Sequence, residues 1–419
     1  MMFSIVIPTR NSAKTIRETI KSCLDQDFAD YEVIVHDNAS TDNTREIVKS
    51  FRDSRIAFSE NASPVYMTDN WNRALERAKG EWIIFLGSDD AIRRSSLKKL
   101  SNAIENLEVE SIVWSQCLYT WPTFGLANQA NRISIPPITK NIYISTIDSH
   151  RDELMAGELP SLPSIYYGCI SKKLIERCRH NGNFFDSRTP DLYSAIVMSF
   201  FTDHYLRIDD CLTITALSAS SSGTAQLSIA PNLEVIRNDL SALLETSSIS
   251  MTLQVPQVDL KTTWVMDCIL LVQAKFARTK SAFEISTNHV AKLIKDEILD
   301  EGGVSLEHQK ILSSWFSRNG LEIDFDLASP VTEKNRILNS FPSDEKNLKI
   351  GQFYLLDTIQ FGINSSYEAA QFVDNLELVY PLLNLDHNEL VKRTNDYEAL
   401  LDELKQEVEQ LRAIVNMNK

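Results

Sequence analysis

Residues 82–92, WIIFLGSDDAI, place five large apolar side chains almost directly before two adjacent acids. An apolar run of this length predicts a short strand that is covered on both faces. Asp89 and Asp90 follow at the end of that strand, although two neighbouring carboxylates repel each other. The sequence therefore predicts a charged corner at the point where the chain leaves the core.

Strands and helices alternate over residues 1–115. Apolar runs predict four further strands, and segments with apolar residues at helical spacing predict helices between them. This alternation indicates an α/β fold, a mostly parallel sheet with helices on both faces. Ligands of such sheets bind at the carboxyl ends of the strands. Three predicted strands end in polar sequence at that edge: PTRN, HDNASTDNT and GSDD.

The motifs SIVIPTRN, YEVIVHDNASTDNT and GEWIIFLGSDD, in this order and spacing, resemble inverting family-two glycosyltransferases of the GT-A fold, a Rossmann-like αβα architecture. The likeness covers about the first 115 residues well and extends loosely to about residue 220. It implies transfer of a sugar from a nucleotide-diphosphate donor, in this family most often a UDP-sugar, to a hydroxyl of a glycan or lipid-linked acceptor. It also implies a setting in bacterial surface polysaccharide or lipopolysaccharide synthesis.

The acidic corner is a candidate metal site. By the resemblance, Asp90 is a metal ligand, and Asp89 contacts the donor ribose or the metal. The chemistry agrees, because carboxylates attract a diphosphate only through a cation such as Mg²⁺ or Mn²⁺. Many family members have a third acid where this chain has Gly87, which predicts weaker metal binding. The structural alternative is an ordinary polar turn.

Donor contacts are expected after the other strands as well. Asp37 follows the second strand and can accept hydrogen bonds from a base or ribose. Arg10 stands where the family often has an aromatic residue, and it can stack on a base or pair with phosphate. Trp71 either contacts the ligand or belongs to the core. The full set of expected donor-binding residues is Pro8, Thr9, Arg10, Asp37, Trp71, Asn72, Ser88 and Asp89.

Asp191, in RTPDLYSA, is the candidate catalytic base. The resemblance implies an acid at the start of a helix that follows the acceptor region. An inverting transfer needs one carboxylate to take the proton of the acceptor hydroxyl. Proline followed by aspartate also begins ordinary helices, so a structural role is the alternative. Other options for the base are His204, Asp209 and Asp210.

The chain is long enough for more than one domain. We expect a GT-A domain at residues 1–225, with a nucleotide-binding half at 1–115 and an acceptor half at 116–225. Helical patterns predict a helical domain at 226–386. Residues 387–419 have a heptad pattern that favours a coiled coil joining identical subunits, over a helix packed on its own chain. The heptad positions are Leu390, Thr394, Tyr397, Leu401, Leu404, Val408, Leu411 and Val415.

Composition excludes several other classes. The 57 acids against 42 bases give a net charge of −15, which argues against a broad nucleic-acid-binding face. Six scattered cysteines indicate reduced thiols. No signal peptide or transmembrane run is evident, so we expect a cytoplasmic protein, either free or peripheral at the inner membrane.

Two other functions are compatible with parts of this pattern. A nucleotidyl transferase would need an early glycine-rich loop with a basic residue, and PTRNSAKT has no glycine. The non-enzyme alternative is a catalytically degenerate GT-A scaffold that acts through its coiled coil. The substitution at Gly87 keeps that alternative open.

Overall fold

The structure is a computed structural model of the chain. It describes residues 1–124, 130–136, 141–158, 162–221, 225, 234–247, 249, 252, 254–276, 285–301, 303–323, 348–350 and 353–379. The coiled coil predicted at 387–419 lies outside the described residues and stays a prediction.

Twelve strands of the described residues form one sheet. Along its main path the strand order is β11-β12-β7-β6-β9-β4-β1-β2-β3, and β10 pairs with β5, β6 and β8. The strands are β1 Phe3–Thr9, β2 Tyr31–Asp37, β3 Ile56–Glu60, β4 Trp82–Phe85, β5 Ala91–Ile92, β6 Ser111–Thr120, β7 Arg132–Ile135, β8 Ile142–Thr146, β9 Gly168–Ser171, β10 His204–Leu217, β11 Leu348–Ile350 and β12 Phe353–Asp357.

Helices follow most of the early strands and cover the sheet. Those in the described part of the chain are α1 Ile16–Leu24, α2 Thr44–Ser50, α3 Met67–Leu75, α4 Ser96–Asn106, α5 Arg151–Met155, α6 Lys172–Cys178, α7 Pro190–Ser199, α8 Glu234–Glu245, α9 Lys261–Lys275, α10 Thr287–Glu301, α11 Leu306–Arg318 and α12 Ser366–Val379.

The first four strands run parallel to one another. β1 lies between β2 and β4, and β3 lies outside β2. The register pairs Thr9 with Asp37 and Asp37 with Glu60, so three strands end at one edge. β2 is buried along its whole length, as a strand covered on both faces must be. The α/β fold class is confirmed, and the predicted parallel order holds for these strands.

Beyond β4 the sheet becomes mixed, which strand–helix alternation did not predict. β9 comes from much later in the chain and inserts between β4 and β6, antiparallel to both. Its first residue, Gly168, allows this close approach. A Cβ there would lie 2.3 Å from the carbonyl oxygen of Ser164 and 2.5 Å from that of Ile112. The antiparallel insertion therefore depends on a contact that no local pattern reveals.

The region predicted to be helical shares the core of the sheet. One cluster of buried apolar side chains joins Phe85 of β4 to Val265 of α9 and Trp315 of α11. The same region also contains β11 and β12, and β12 pairs antiparallel with β7, so it is not wholly helical. The boundary at residue 225 stays a prediction, but the core is continuous across it.

The six cysteines are free and buried, as their scattered positions predicted. Among the described residues, none of the helices combines the length and the apolar character that crossing a bilayer requires.

Candidate active site

A cavity of about 410 Å³ opens at the carboxyl ends of the parallel strands. Its walls come from the ends of β1, β2 and β4, from β6 and β10, from the start of α7 and from α8. The cavity therefore lies at the edge of the sheet where the sequence predicted ligand binding. Seven of the ten predicted site residues line it: Pro8, Thr9, Arg10, Trp71, Ser88, Asp89 and Asp191.

The loops after β1 and β2 are joined by backbone-to-side-chain hydrogen bonds. The backbone N–H of Asn11 donates to Ser40 Oγ at 2.8 Å, and the N–H of Thr41 donates to Asn11 Oδ1 at 2.9 Å. Asn11 and Ala39 both have φ of 51°, a conformation that is uncommon for residues other than glycine. The rim of the cavity is therefore held in a specific backbone conformation by its own polar residues.

Asp37 lies behind this rim and does not line the cavity. Its carboxylate accepts hydrogen bonds from the hydroxyl and the N–H of Ser40, and so it holds the turn after β2. Burial raises the pKa of Asp37. The expected contact of Asp37 with the donor stays a prediction. The next residue, Asn38, lines the cavity instead, with its amide bonded to the backbone N–H and carbonyl of Val65.

Asp90 does not line the cavity, and its expected role as a metal ligand stays a prediction. Its Oδ1 accepts the N–H of Ala216 at 2.6 Å. Its Oδ2 accepts the N–H of Gly87 at 3.0 Å and the hydroxyl of Tyr166 at 2.9 Å. Three protein donors therefore hydrogen-bond to this buried carboxylate within the fold.

Asp89 is the acid of the pair that lines the cavity. The hydroxyl of Ser218 donates to its Oδ2 at 2.6 Å, and Trp121 Nε1 donates to its carbonyl oxygen at 3.0 Å. Burial raises the pKa of Asp89. It also raises the pKa of Asp90, with the neighbouring Asp89 charge adding to the effect. Both acids therefore bind protons more readily than an exposed aspartate does.

Gly87 leaves the space that Tyr166 fills. A Cβ at Gly87 would lie 2.2 Å from the Tyr166 hydroxyl and 2.6 Å from Asp90 Oδ2. A third acid cannot be accommodated here while that hydroxyl is in place. In the described residues, no group of three His, Cys, Asp or Glu side chains is arranged to hold a metal ion by itself.

Asp191 occupies the first turn of α7 and lines the same cavity as Asp89. Burial raises the pKa of its carboxyl. A shifted carboxyl group in a cleft is the environment typical of acid–base residues. The alternative bases are not brought to the cavity: His204 is exposed, and Asp209 and Asp210 bond to other side chains.

Trp71 both lines the cavity and packs into the core. Its ring stacks on Tyr166, with centroids 5.6 Å apart and an interplanar angle of 12°, and it also contacts Phe85. The two alternatives left open by the sequence are therefore compatible. The neighbouring Asn72 is not at the cavity, because its amide donates to the carbonyl of Phe185 and accepts from two backbone N–H groups.

Arg10 reaches across the cavity to α8. Its Nε and Nη2 donate to the two carboxylate oxygens of Asp239 at 2.8 and 3.0 Å. Its Nη1 donates to the carbonyl oxygens of Asn38 and Ala39 at 2.8 and 3.2 Å. The guanidinium is therefore held by the rim on one side and by a helix from the C-terminal half on the other.

A buried group of charges lies behind the acidic corner, and we call it the Arg93 cluster (Arg93, Lys99, Asp210, Asp374 and Glu377). Arg93 is 1% exposed and bonds to all three acids, including Asp210 and Asp374 at 2.8 Å. Lys99 bonds to Asp210 and Glu377. Because Asp374 and Glu377 belong to α12, the cluster attaches that helix to the corner.

Several cavity residues were not predicted from the sequence. Tyr166 and Tyr167 stand together just before β9, and a polar run follows β10. Both features were visible as patterns, but neither indicated which side chains meet Asp89. The unpredicted lining residues include Ser12, Asn38, Asn70, Gln116, Tyr166, Tyr167, Thr215, Ser220, Leu240 and Leu243.

The N-terminal region, which forms the parallel part of the sheet, is similar to a known protein family. Residues 4–151 match the sequence model of Glycosyl transferase family 2. This range contains all three motifs that carry the resemblance. The N-terminal region of the chain is therefore similar to this family.

Similar proteins come from several bacteria. The chain is 36% identical over 171 residues to the Escherichia coli UDP-Glc:alpha-D-GlcNAc-diphosphoundecaprenol beta-1,3-glucosyltransferase, covering 41% of this chain and 56% of that protein. It is 30% identical over 134 residues to a putative teichuronic acid biosynthesis glycosyltransferase of Bacillus subtilis, covering 30% and 48%. The chain thus spans about half the length of these relatives.

A solved structure is distantly similar. Staphylococcus aureus TarS 1–349 in complex with UDP-GlcNAc superposes with a TM-score of 0.48 at 16% identity, covering 76% of this chain and 80% of that one.

Proposed function

We propose that this chain is a glycosyltransferase that moves a sugar from a nucleotide-diphosphate donor to an acceptor hydroxyl with inversion. The observation that carries the proposal is that Asp89 and Asp191 line one cavity at the carboxyl ends of the parallel strands. The match of residues 4–151 to the model of Glycosyl transferase family 2 supports transfer chemistry. A UDP-sugar is the favoured donor, because the E. coli relative is named for UDP-Glc.

The donor diphosphate would lie against Asp89, Ser88 and the β1 loop. A divalent ion, Mn²⁺ or Mg²⁺, fits this wall through Asp89, since Mg²⁺ often takes one or two carboxylates and completes its shell with substrate phosphates and water. Such an ion stabilises negative charge on the departing diphosphate. Asp90 would serve the site indirectly, by holding the 87–90 turn through Gly87, Tyr166 and Ala216.

Asp191 would accept the proton of the attacking hydroxyl. A single displacement leaves the sugar inverted and needs one general base on the acceptor side. The raised pKa of Asp191 moves its proton affinity closer to that required near neutral pH. Trp71 and Tyr167 would form an apolar wall beside the reacting groups, where aromatic faces suit sugar rings.

The acceptor and the setting follow from the relatives. The E. coli relative is named for a diphosphoundecaprenol-linked acceptor, and the B. subtilis relative for teichuronic acid synthesis. We therefore propose a glycan or lipid-linked acceptor in bacterial surface polysaccharide synthesis, with the enzyme at the cytoplasmic face of the membrane. Residues 387–419 would join subunits into a homo-oligomer.

A degenerate scaffold is the second candidate. Its supporting observation is the corner itself, where Gly87 replaces an acid and Asp90 is bonded inward to Tyr166. Such a protein would keep the fold and lose donor binding. Its function would then rest on the coiled coil.

Nucleotide titration separates the two candidates. UDP, GDP and TDP are titrated into the full chain by calorimetry, with and without Mn²⁺. The enzyme requires metal-dependent binding of one nucleotide, while absence of binding to all three supports the scaffold. A screen for hydrolysis of nucleotide sugars then identifies the donor, because slow hydrolysis does not need the acceptor.

A further inference from the structure

Helix α8 covers the cavity without being built into the core. Leu240 and Leu243 line the cavity, yet none of the twelve residues of the helix is fully buried. Its charged attachment to the sheet edge is the pair formed by Arg10 and Asp239. The side chains of this pair are 21% and 41% exposed, so solvent and ligands reach both.

Arg10 is also held by contacts that do not involve Asp239. Its Nη1 is bonded to the carbonyl oxygens of Asn38 and Ala39, which belong to the fixed rim. The remaining face of the guanidinium, Nε and Nη2, is the face that Asp239 takes with both carboxylate oxygens. A planar two-donor edge of this kind binds a carboxylate and a phosphate in the same bidentate way.

The charges around the cavity make the Nε and Nη2 donors of Arg10 important for binding a diphosphate. Among the described residues that line the cavity, Arg10 is the side chain with a permanent positive charge, while Asp89 and Asp191 are acids. A diphosphate that enters has to overcome repulsion from these acids. Arg10 is the protein group available to offset that repulsion, in addition to a metal ion.

We propose that Asp239 occupies the phosphate-binding edge of Arg10 and that a phosphate group of the donor displaces it. Asp239 is then an internal competitor, and its displacement detaches α8 from the rim when the donor enters. The inference rests on the proposed function, because it identifies Arg10 as the protein's phosphate contact. It also predicts that anions bind more tightly when Asp239 is removed, which an ion pair that only supports Arg10 would not give.

The alternative role predicts the opposite sign. If Asp239 only orients Arg10, its removal leaves the guanidinium less ordered, and anions bind more weakly. If Asp239 competes, its removal frees the edge, and anions bind more tightly. Substitution to asparagine keeps the size of the side chain and removes its charge, so the two roles separate in one measurement.

The test compares Asp239→Asn with the wild type and with Glu234→Gln, a charge removal at the start of the same helix and outside the cavity. Calorimetry with UDP, uridine and inorganic pyrophosphate, at fixed Mn²⁺, measures the dissociation constants. We expect Asp239→Asn to bind UDP and pyrophosphate about twofold to fivefold more tightly, the scale of a partly exposed ion pair. Uridine, which has no phosphate, and Glu234→Gln should give no change.

Unchanged or weaker binding of UDP and pyrophosphate by Asp239→Asn would overturn the inference. That result, together with firm UDP binding by the wild type, leaves the proposed function intact. Conversely, a wild type that binds no nucleotide contradicts the proposed function, and the pyrophosphate arm still decides whether Asp239 competes at Arg10. Arg10→Gln should weaken pyrophosphate binding in either background, and equal binding would contradict the role of Arg10.

Discussion

Charged side chains behind the acidic corner (the back wall) and those in front of it, at the cavity (the front wall), have different kinds of partner. Behind the corner, Asp90 and Arg93 are buried and bonded to other protein groups. In front of it, Asp89 and Asp191 face a cavity, and Arg10 is held by a partly exposed partner. Charges satisfied inside the fold contribute mainly to stability, since their loss leaves a buried partner unpaired. Charges that face the cavity are available to a ligand, so their loss should affect function first.

The same contrast separates the two C-terminal helices that reach the corner. Helix α12 is attached from behind by the Arg93 cluster and by Ser366, whose hydroxyl donates to the Asp90 carbonyl at 3.2 Å. Helix α8 is attached in front by the exposed pair Arg10 and Asp239. We infer that α12 stays attached to the site, whereas α8 covers the cavity and is displaced when the donor enters.

The largest effect should come from the front wall. Asp191→Asn removes the proposed base, and we expect transfer to fall by about 10²- to 10⁴-fold, the usual contribution of a general base. Nucleotide binding and the unfolding midpoint should stay close to the wild type. The measurements are steady-state transfer, nucleotide calorimetry and urea unfolding.

Asp152→Asn is the control for this substitution, because Asp152 also lies in the first turn of a helix but is exposed and outside the cavity. It should leave transfer unchanged. Transfer by Asp191→Asn at the wild-type rate would remove Asp191 from the chemistry.

The next largest effect should come from the back wall. Among the described residues, Arg93→Met leaves Asp210, Asp374 and Glu377 with only Lys99 as a cation. Removal of one partner from a buried ion pair typically costs about 3–5 kcal/mol, and we expect a loss of that size in the free energy of unfolding. Denaturant unfolding of the purified chain gives the value.

Arg177→Met provides the comparison, because Arg177 pairs with Glu110 at the surface. Exposed pairs contribute about 0–1 kcal/mol. If Arg93→Met were as mild as Arg177→Met, the cluster would not be what attaches α12.

The pH dependence of transfer sharpens the contrast further. The base must be deprotonated to accept a proton, and burial raises the pKa of Asp191. Transfer, measured as kcat/KM, should therefore fall about tenfold per pH unit below a pKa that lies above the usual aspartate value near 4. If the fall in kcat/KM at low pH had a pKa at or below the usual aspartate value, that result would contradict a buried base at this position.

The smallest effect concerns Ser366. Ser366→Ala removes one neutral hydrogen bond to the Asp90 carbonyl, which Thr19 also contacts at 2.8 Å. We expect a loss of about 0.5–1.5 kcal/mol in the free energy of unfolding and little change in nucleotide binding. A large loss of nucleotide binding with intact stability would place α12 in the front wall and reverse the comparison.

Local patterns in the sequence predicted where the site lies. The order of β1 to β4 and the position of the acidic corner follow from apolar runs that end in polar residues. The start of α7 follows from proline and aspartate at a helix start. These features depend on residues close together in the chain, so a window of sequence contains the information.

The direction of each side chain depended on distant residues. Asp90 turns inward because of Tyr166 and Ala216, which are 76 and 126 positions away. Arg10 meets Asp239 across 229 positions. No periodicity or motif links such pairs in a single sequence, which is why the sequence predicted both Asp89 and Asp90 as metal residues without indicating which of them lines the cavity.

The central claim is that Asp89, rather than Asp90, forms the metal-binding wall of the cavity. Measuring the Mn²⁺-dependent binding of UDP to Asp89→Asn and Asp90→Asn tests this claim most directly. Both variants are first checked for folding by circular dichroism, since Asp90→Asn loses an acceptor for the donors around it. We expect Asp89→Asn to lose the metal-dependent part of nucleotide binding, and folded Asp90→Asn to retain it. The reverse pattern, with binding lost only in Asp90→Asn, would contradict the assignment of the cavity wall to Asp89.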